Sequence, residues 1–237
     1  MKAMIFAAGL GTRLKPFTDH HPKALAEVNG KTLLEHAIRY LHRFGIEDVI
    51  VNVHHFAKQI EDAVDENGGF GSWVTISDER DVVLETGGGL KKAAEYFEGE
   101  EAFVVMNVDV LTNLDLGKMI EAHQSGDAMA TLAVMKRESS RNLLFDEHMA
   151  LCGWQNNATG QQRISRDTEV RNAFAFSGVQ VLSPKILAMP FEGKFSMIDV
   201  YLHFAQTKTI KGFDHTGNVF IDVGKPESLE KASYLFE

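Results

Sequence analysis

The sequence predicts an α/β fold: a mostly parallel, mixed sheet flanked by helices, with a strand-rich insertion in the second half. Two observations carry this. Up to about residue 136, short apolar runs alternate with amphipathic stretches of helical period. After that point the alternation gives way to short strand-like pieces between polar turns. Strands alternating with helices imply parallel pairing through right-handed crossovers.

Residues 2–8 form the first apolar run and read as a buried strand. Residues 31–44 read as a helix, with Leu34, Ala37, Ile38 and Leu41 on one face. Thr32 followed by Glu35 has the spacing of a capping box, and Gly45 suits the position after the last turn. Residues 48–53 are the next strand, 57–64 a helix, 73–77 a strand and 90–97 a helix. Residues 102–108 are the most apolar strand, followed by a helix over 116–123 and a strand over 128–134. Between residues 142 and 183, pieces such as 143–145 and 179–182 are expected to form an antiparallel insertion packed on the main sheet. A helix over 197–207, a strand over 219–222 and a helix from Lys225 complete the pattern. Pro226 is at a permitted early position in that helix, with Leu229, Ala232, Ser233 and Phe236 on one face. No Pro/Gly-rich linker divides the 237 residues, so residues 1–237 are expected as one unit, in parts of about 1–135 and 136–237.

Hydrophobic residues make up 44% and charged residues 24%, the balance of an ordinary globule able to bury a core. Cys152 is the only cysteine, which excludes an intramolecular disulfide and any multi-cysteine metal site. A reducing, cytoplasmic setting follows. The net charge of −9 argues against nucleic acid or an anionic membrane as partner. No stretch approaches the ~20 apolar residues of a membrane span. The run at residues 3–8 is too short for a signal peptide. The adjacent pairs His20-His21 and His54-His55 lack the i, i+4 spacing of a helical chelate. Cys152, read as lying in a turn, is assigned no role.

The first strand runs into Ala7-Ala8-Gly9-Leu10-Gly11-Thr12-Arg13-Leu14-Lys15-Pro16. Glycines at the C-terminal end of a strand let backbone N–H groups approach an anion, and open α/β sheets bind ligands at that edge. Arg13, Lys15 and Lys23 add cations there, so the loop reads as a phosphate cradle. A Walker loop is absent, and the third glycine of a dinucleotide fingerprint is missing, since Leu14 stands there. A turn without a ligand is the remaining alternative. Asp109 and Asp222 each follow an apolar strand, which aims them at the ligand edge. Glu85-Thr86-Gly87-Gly88-Gly89 lies between a polar loop and a helix, where glycines let a base or ribose lie against the backbone.

These blocks together resemble the sugar-1-phosphate nucleotidylyltransferases. The resemblance rests on Ala7-Ala8-Gly9-x-Gly11-Thr12-Arg13-Leu14-x-Pro16-x-Thr18, Pro22-Lys23-Ala24-Leu25, Glu85 to Gly89, Asn107-Val108-Asp109 and Phe220 to Glu227, in the family's order. It implies a Rossmann-like, GT-A-like nucleotidyltransferase fold. It also implies a reaction in which a sugar 1-phosphate attacks the α-phosphate of a nucleoside triphosphate and pyrophosphate leaves. The text of the Glu85 block is most similar to the branch acting on UTP and N-acetylmuramate 1-phosphate. The branch acting on GTP with mannose 1-phosphate or a heptose 1-phosphate is the second choice, and CTP with phosphocholine a more remote relative.

The resemblance further implies a role for each block. Arg13 and Lys23 would be catalytic, on the pyrophosphate and at the reacting phosphate. Ala7, Ala8, Gly9, Gly11, Thr12, Arg13, Glu85, Gly87 and Gly88 would bind the nucleotide. Asp109 and Asp222 would hold Mg²⁺. Glu169, Ser177 and Gly178 would face the sugar, with Phe174, Phe176 and Asp199 nearby. Many relatives carry Glu-Lys-Pro where this chain reads Glu169-Val170-Arg171, so the residue on the sugar phosphate is left open, with Arg171 a substitute. A monomer and a homodimer are both compatible with the sequence. The hexapeptide repeats of longer relatives are absent, so no acyl transfer is expected. A non-catalytic nucleotide-sugar sensor and a nicotinamide oxidoreductase are the rivals from other classes. Arg13, Lys23, Asp109 and Asp222 together argue against the first, and the missing glycine against the second.

Overall fold

The computed structural model describes residues 1–236. In chain order the strands are β1 (Lys2–Phe6), β2 (Glu27–Val28), β3 (Lys31–Thr32), β4 (Asp48–Val53), β5 (Trp73–Asp78), β6 (Phe103–Asn107), β7 (Val110–Thr112), β8 (Ala130–Met135), β9 (Arg141–Phe145), β10 (Leu151–Asn156), β11 (Gln162–Ile164), β12 (Asn172–Leu182), β13 (Ile210–Asp214) and β14 (Phe220–Asp222). The α-helices are α1 (Leu33–His42), α2 (Ala57–Glu66), α3 (Glu85–Lys92), α4 (Leu116–Gln124), α5 (Met197–Ala205) and α6 (Pro226–Leu235).

One mixed sheet runs in the order β11-β10-β9-β12-β6-β1-β4-β5, with β8 paired to β12 and β13 to β8. Its β6-β1-β4-β5 half is parallel. The direction reverses at β12, which is antiparallel to β6, β8 and β9. Successive strand residues face opposite sides. Ala3 and Ile5 of β1 therefore join Val49, Val51, Val104 and α1 in one core, while Met4 and Phe6 join Ile50, Val105 and α5 in the other. Burial on both faces is why these strands read as continuous apolar runs.

The helix caps agree with the sequence. Thr32 Oγ1 accepts the Glu35 N–H at 3.1 Å at the start of α1. Gly45 is left-handed at φ 73°, and its N–H donates to the His42 carbonyl at 2.9 Å. Ser196 and Asp199 form a full capping box on α5.

Four expectations are corrected. The strand-rich segment does not pack on the sheet; it extends it, because β12 pairs with β6 and β9 at once. Only residues 179–182 of β12 were legible, since Gly178 sits at a register shift with φ 70° and breaks the period. The strand β13 was not expected; Lys211 and Gly212 interrupt its apolar pattern. The helix expected at 90–97 begins at Glu85, and residues 94–97 form a separate 3-10 turn. Cys152 lies in β10, fully buried, with its thiol 3.0 Å from Thr168 Oγ1.

Candidate active site

Phe6, Asn52 and Asn107 lie in register on the neighbouring strands β1, β4 and β6, at the C-terminal edge of the parallel half. The chain leaves β1 directly into the glycine loop. Asn52 Oδ1 accepts the N–H of Ala7 at 2.7 Å and of Ala8 at 3.3 Å. Asn52 Nδ2 in turn donates to Glu79 Oε1 at 2.8 Å. Glu79 is buried and its Oε2 has no partner. Burial pushes the Glu79 carboxyl above the usual carboxylate range, against the pull of the Asn52 hydrogen bond.

Gly11 is left-handed at φ 61°, and a Cβ there would lie 2.9 Å from Lys23 Cβ and from Thr18 Cγ2. Thr18 Oγ1 donates to the Gly11 carbonyl at 3.0 Å. The loop is thus folded against the turn carrying Lys23, a position no side chain at residue 11 would permit. Lys23 is buried and its ammonium is ion-paired with Asp109 Oδ2.

Asp109 and Asp222, far apart in sequence, are brought together by a two-stranded ribbon. β14 pairs antiparallel with β7, placing Asp222 opposite Val110, and the Val223 N–H donates to the Asp109 carbonyl at 2.8 Å. A Cβ on Gly224 would stand 2.9 Å from both Arg13 Nη2 and Asp222 Oδ1, so Gly224 keeps these two side chains on one spot. Asp222 retains a solvent-facing side, yet its carboxyl is pushed up from the ordinary value. Its packed surroundings are the main cause and the Asp109 charge the next; Lys23, Arg13 and Arg137 pull the other way.

Two adjoining cavities open at this edge. The smaller, about 270 Å³, is lined by Ala7, Gly9, Gly11, Thr12, Arg13, Lys23 and Asp109, with Gly224 closing it. The larger, about 460 Å³, is lined by Ala8, Gly9, Asn52, Glu85, Arg141 and Ser196. Phe6, Gly9 and Thr86 belong to both. Among the described residues no group of three or more His, Cys, Asp or Glu side chains could hold a metal. Two neighbouring carboxylates, with all-oxygen donors, fit a hard cation whose other ligands come from phosphate and water.

Several expected residues are elsewhere. Gly87 and Gly88 line neither cavity: they are buried in α3, and their N–H groups donate to the Phe195 carbonyl at 2.9 and 3.3 Å. A Cβ on Gly87 would meet the Phe195 ring, and one on Gly88 the Gly193 carbonyl, so these glycines serve close packing. Glu85 and Thr86 alone of that block reach the cavities. Ser177 is buried with its Oγ 2.7 Å from His215 Nε2, and Gly178 is pressed against Asn107. Neither offers a free group to a sugar. Glu169 pairs with Arg171 at 2.7 Å and Asp199 with Arg163 at 2.8 Å, both outside the two cavities. Phe174 is core, Phe176 packs on Tyr201, and Lys15 turns to Asp19 at 2.8 Å.

Residues missed by the sequence reading are Asn52, Glu79, Arg137 and Arg141. Asn52 gave one signal: a polar residue inside an otherwise apolar strand at the ligand edge. The arginines gave none, because their segment has no periodicity.

Residues 2–143, more than half of the chain, match the family described as nucleotidyl transferase, and the chain belongs to that family. Its mixed sheet has the GT-A-like nucleotidyltransferase fold. An N-acetylmuramate α-1-phosphate uridylyltransferase from Caulobacter vibrioides is 32% identical over 95% of this chain and 93% of its own. A D-glycero-α-D-manno-heptose 1-phosphate guanylyltransferase from Aneurinibacillus thermoaerophilus is 31% identical over 98% and 96%. The crystal structure of HddC from Yersinia pseudotuberculosis, complexed with GMP-PN, superposes with a TM-score of 0.78 at 30% identity, covering 100% of this chain and 99% of that one.

Proposed function

We propose that this chain is a sugar-1-phosphate nucleotidylyltransferase working as one domain. Residues up to about 135 take the nucleotide, and the rest supply the sugar-phosphate side. One observation carries the reading: Arg13, Lys23 and Asp109 line a small cavity walled by a glycine loop, and Asp222 stands beside Arg13 at Gly224, which closes it. That set suits a reaction between two phosphates, where positioning and charge neutralisation are the main tasks.

In the reaction a phosphate oxygen of the sugar 1-phosphate bonds to the α-phosphorus, the bond from that phosphorus to the bridging oxygen breaks, and pyrophosphate leaves with its electrons. Arg13 is suited to the departing pyrophosphate, since its planar fork meets two phosphate oxygens at once. Lys23 brings a point charge to the reacting centre, held ready by Asp109. Asn52 fixes the Ala7 and Ala8 amides, so the glycine loop keeps its shape while the phosphates pass. Asp109 and Asp222 would hold Mg²⁺, which when bound neutralises charge on the triphosphate.

The substrates we assign first are UTP with N-acetylmuramate 1-phosphate or a similar amino-sugar phosphate, supported by the name of the relative at 32% identity. GTP with a heptose or mannose 1-phosphate is the second reading, supported by the guanylyltransferase at 31%. The cytoplasm, where these nucleotides are made, is the expected setting; among the described residues no helix is long and apolar enough to cross a membrane. Pyrophosphate release across four nucleoside triphosphates and several sugar 1-phosphates, with Mg²⁺ and with EDTA, tests the assignment. Turnover in the UTP–N-acetylmuramate 1-phosphate pair is expected. Turnover with GTP and a heptose or mannose 1-phosphate instead would overturn the first assignment for the second, and a blank across all pairs, with nucleotide still bound, would overturn both in favour of a sensor.

A further inference from the structure

Arg137 follows β8 and is fixed without any carboxylate at ion-pair distance. Nη2 donates to the Phe176 carbonyl at 3.1 Å and Nη1 to the Glu138 carbonyl at 3.3 Å. The guanidinium carbon lies 4.8 Å over the Phe220 ring. Phe220 and Asp222 are two residues apart on β14, so their side chains leave the same face. Positions i and i+2 of a strand stand ~7 Å apart. Arg137 is thus close enough to Asp222 to lower the proton affinity of its carboxyl, yet it makes no ion pair with it.

Three other arginines of the antiparallel half are committed. Arg163 is taken by Asp199 and Arg171 by Glu169, while Arg166 donates to the carbonyls of Ala205 and Lys208. Arg171, the substitute that the sequence offers for the absent lysine, therefore has its charge spent on Glu169. Arg141 is also without an ion pair, but it lines the larger cavity beside Glu85, away from the Asp222 ribbon.

We propose that Arg137, held flat on Phe220 next to Asp222, is the anchor for the phosphate of the incoming sugar 1-phosphate. This rests on the nucleotidylyltransferase reading above. A phosphate monoester carries close to two negative charges at neutral pH, and a guanidinium with unused N–H donors can grip two of its oxygens. Stacking on Phe220 fixes the plane of the fork before the ligand arrives, so little side-chain freedom is lost on binding. The attacking oxygen is then delivered beside the carboxylate pair.

The test is steady-state kinetics of Arg137→Ala, Arg137→Lys and Arg141→Ala on the best substrate pair. Arg137→Ala should raise KM for the sugar phosphate by about tenfold or more and leave KM for the nucleotide within about twofold. Arg137→Lys should recover only part of the loss, because an ammonium has charge without the fork. Equal effects on both KM values, or an effect confined to Arg141→Ala, would overturn the assignment. A second measurement needs no turnover: calorimetric titration of the Mg²⁺–UTP complex with inorganic phosphate, wild type against Arg137→Ala. Weaker phosphate binding in the variant is expected, and equal binding would overturn the proposal. If the variant loses phosphate while wild type turns over no substrate pair, the enzymatic reading fails and the phosphate anchor stands.

Discussion

Asn52 Oδ1 accepts the N–H of Ala7 at 2.7 Å, so the first residue of the phosphate loop is fixed by the neighbouring strand rather than by its own turn. Replacing Asn52 by leucine leaves that buried N–H unpaired, at a cost of about 1–3 kcal/mol. Thermal unfolding should register the loss. Because the loop shape also relaxes, KM for the nucleotide should rise more than KM for the sugar phosphate.

Gly11 and Gly9 should part company on substitution. Gly11→Ala places a side chain in a left-handed residue, a strain of about 1–2 kcal/mol, and pushes on Lys23 Cβ. Both the melting temperature and kcat/KM should fall. Gly9→Ala meets no atom within 4 Å, so its melting temperature should stay near wild type.

Asp109→Asn removes the partner of the Lys23 ammonium and half of the carboxylate pair. A fall in kcat on the order of 10²–10³ is expected, the usual effect of losing one charge-stabilising group. The Asp109 charge is one of the two causes raising the Asp222 carboxyl. Its removal should therefore lower the Asp222 pKa, which carboxyl-labelled NMR titration of the variant can read.

Glu79 predicts a pH dependence of stability. Its folded pKa is raised above the ordinary value of 4.5, so the fold favours the protonated acid. Its contribution is fully present below the unfolded pKa and is lost as pH rises through the folded one. Glu79→Gln mimics the neutral acid. The variant should lose stability less steeply than wild type as the buffer is taken from mildly acidic to neutral, as denaturant midpoints would show.

The parallel half was legible because burial on both faces writes itself as nearly continuous apolar runs, at Lys2–Phe6, Asp48–Val53 and Phe103–Asn107. The antiparallel half was not. β12 contains Ser177 and Gly178 at a register shift, and β13 contains Lys211 and Gly212, so neither presents a clean period. Within the site, Arg13, Lys23, Asp109 and Asp222 stand out in the sequence as charged residues on turns and at strand ends, and the fold brings them near one another. The triple glycine is ambiguous in the sequence because backbone access and helix packing demand the same residue. Phe195 and Gly193, which decide between them, are over a hundred positions away.

The ribbon of β7 and β14 has a consequence for how activity arises during folding. Thr112 Oγ1 reaches the Val219 carbonyl across 107 positions, and the carboxylate pair exists only when that long loop is closed. Such distant closures come late, since their entropy is lost before any contact rewards it. A chain whose nucleotide loop is already formed would still hold a single carboxylate, Asp109, neutralised by Lys23. The half-made protein is thereby electrically quiet, and the charge imbalance that invites a cation appears only with the finished fold.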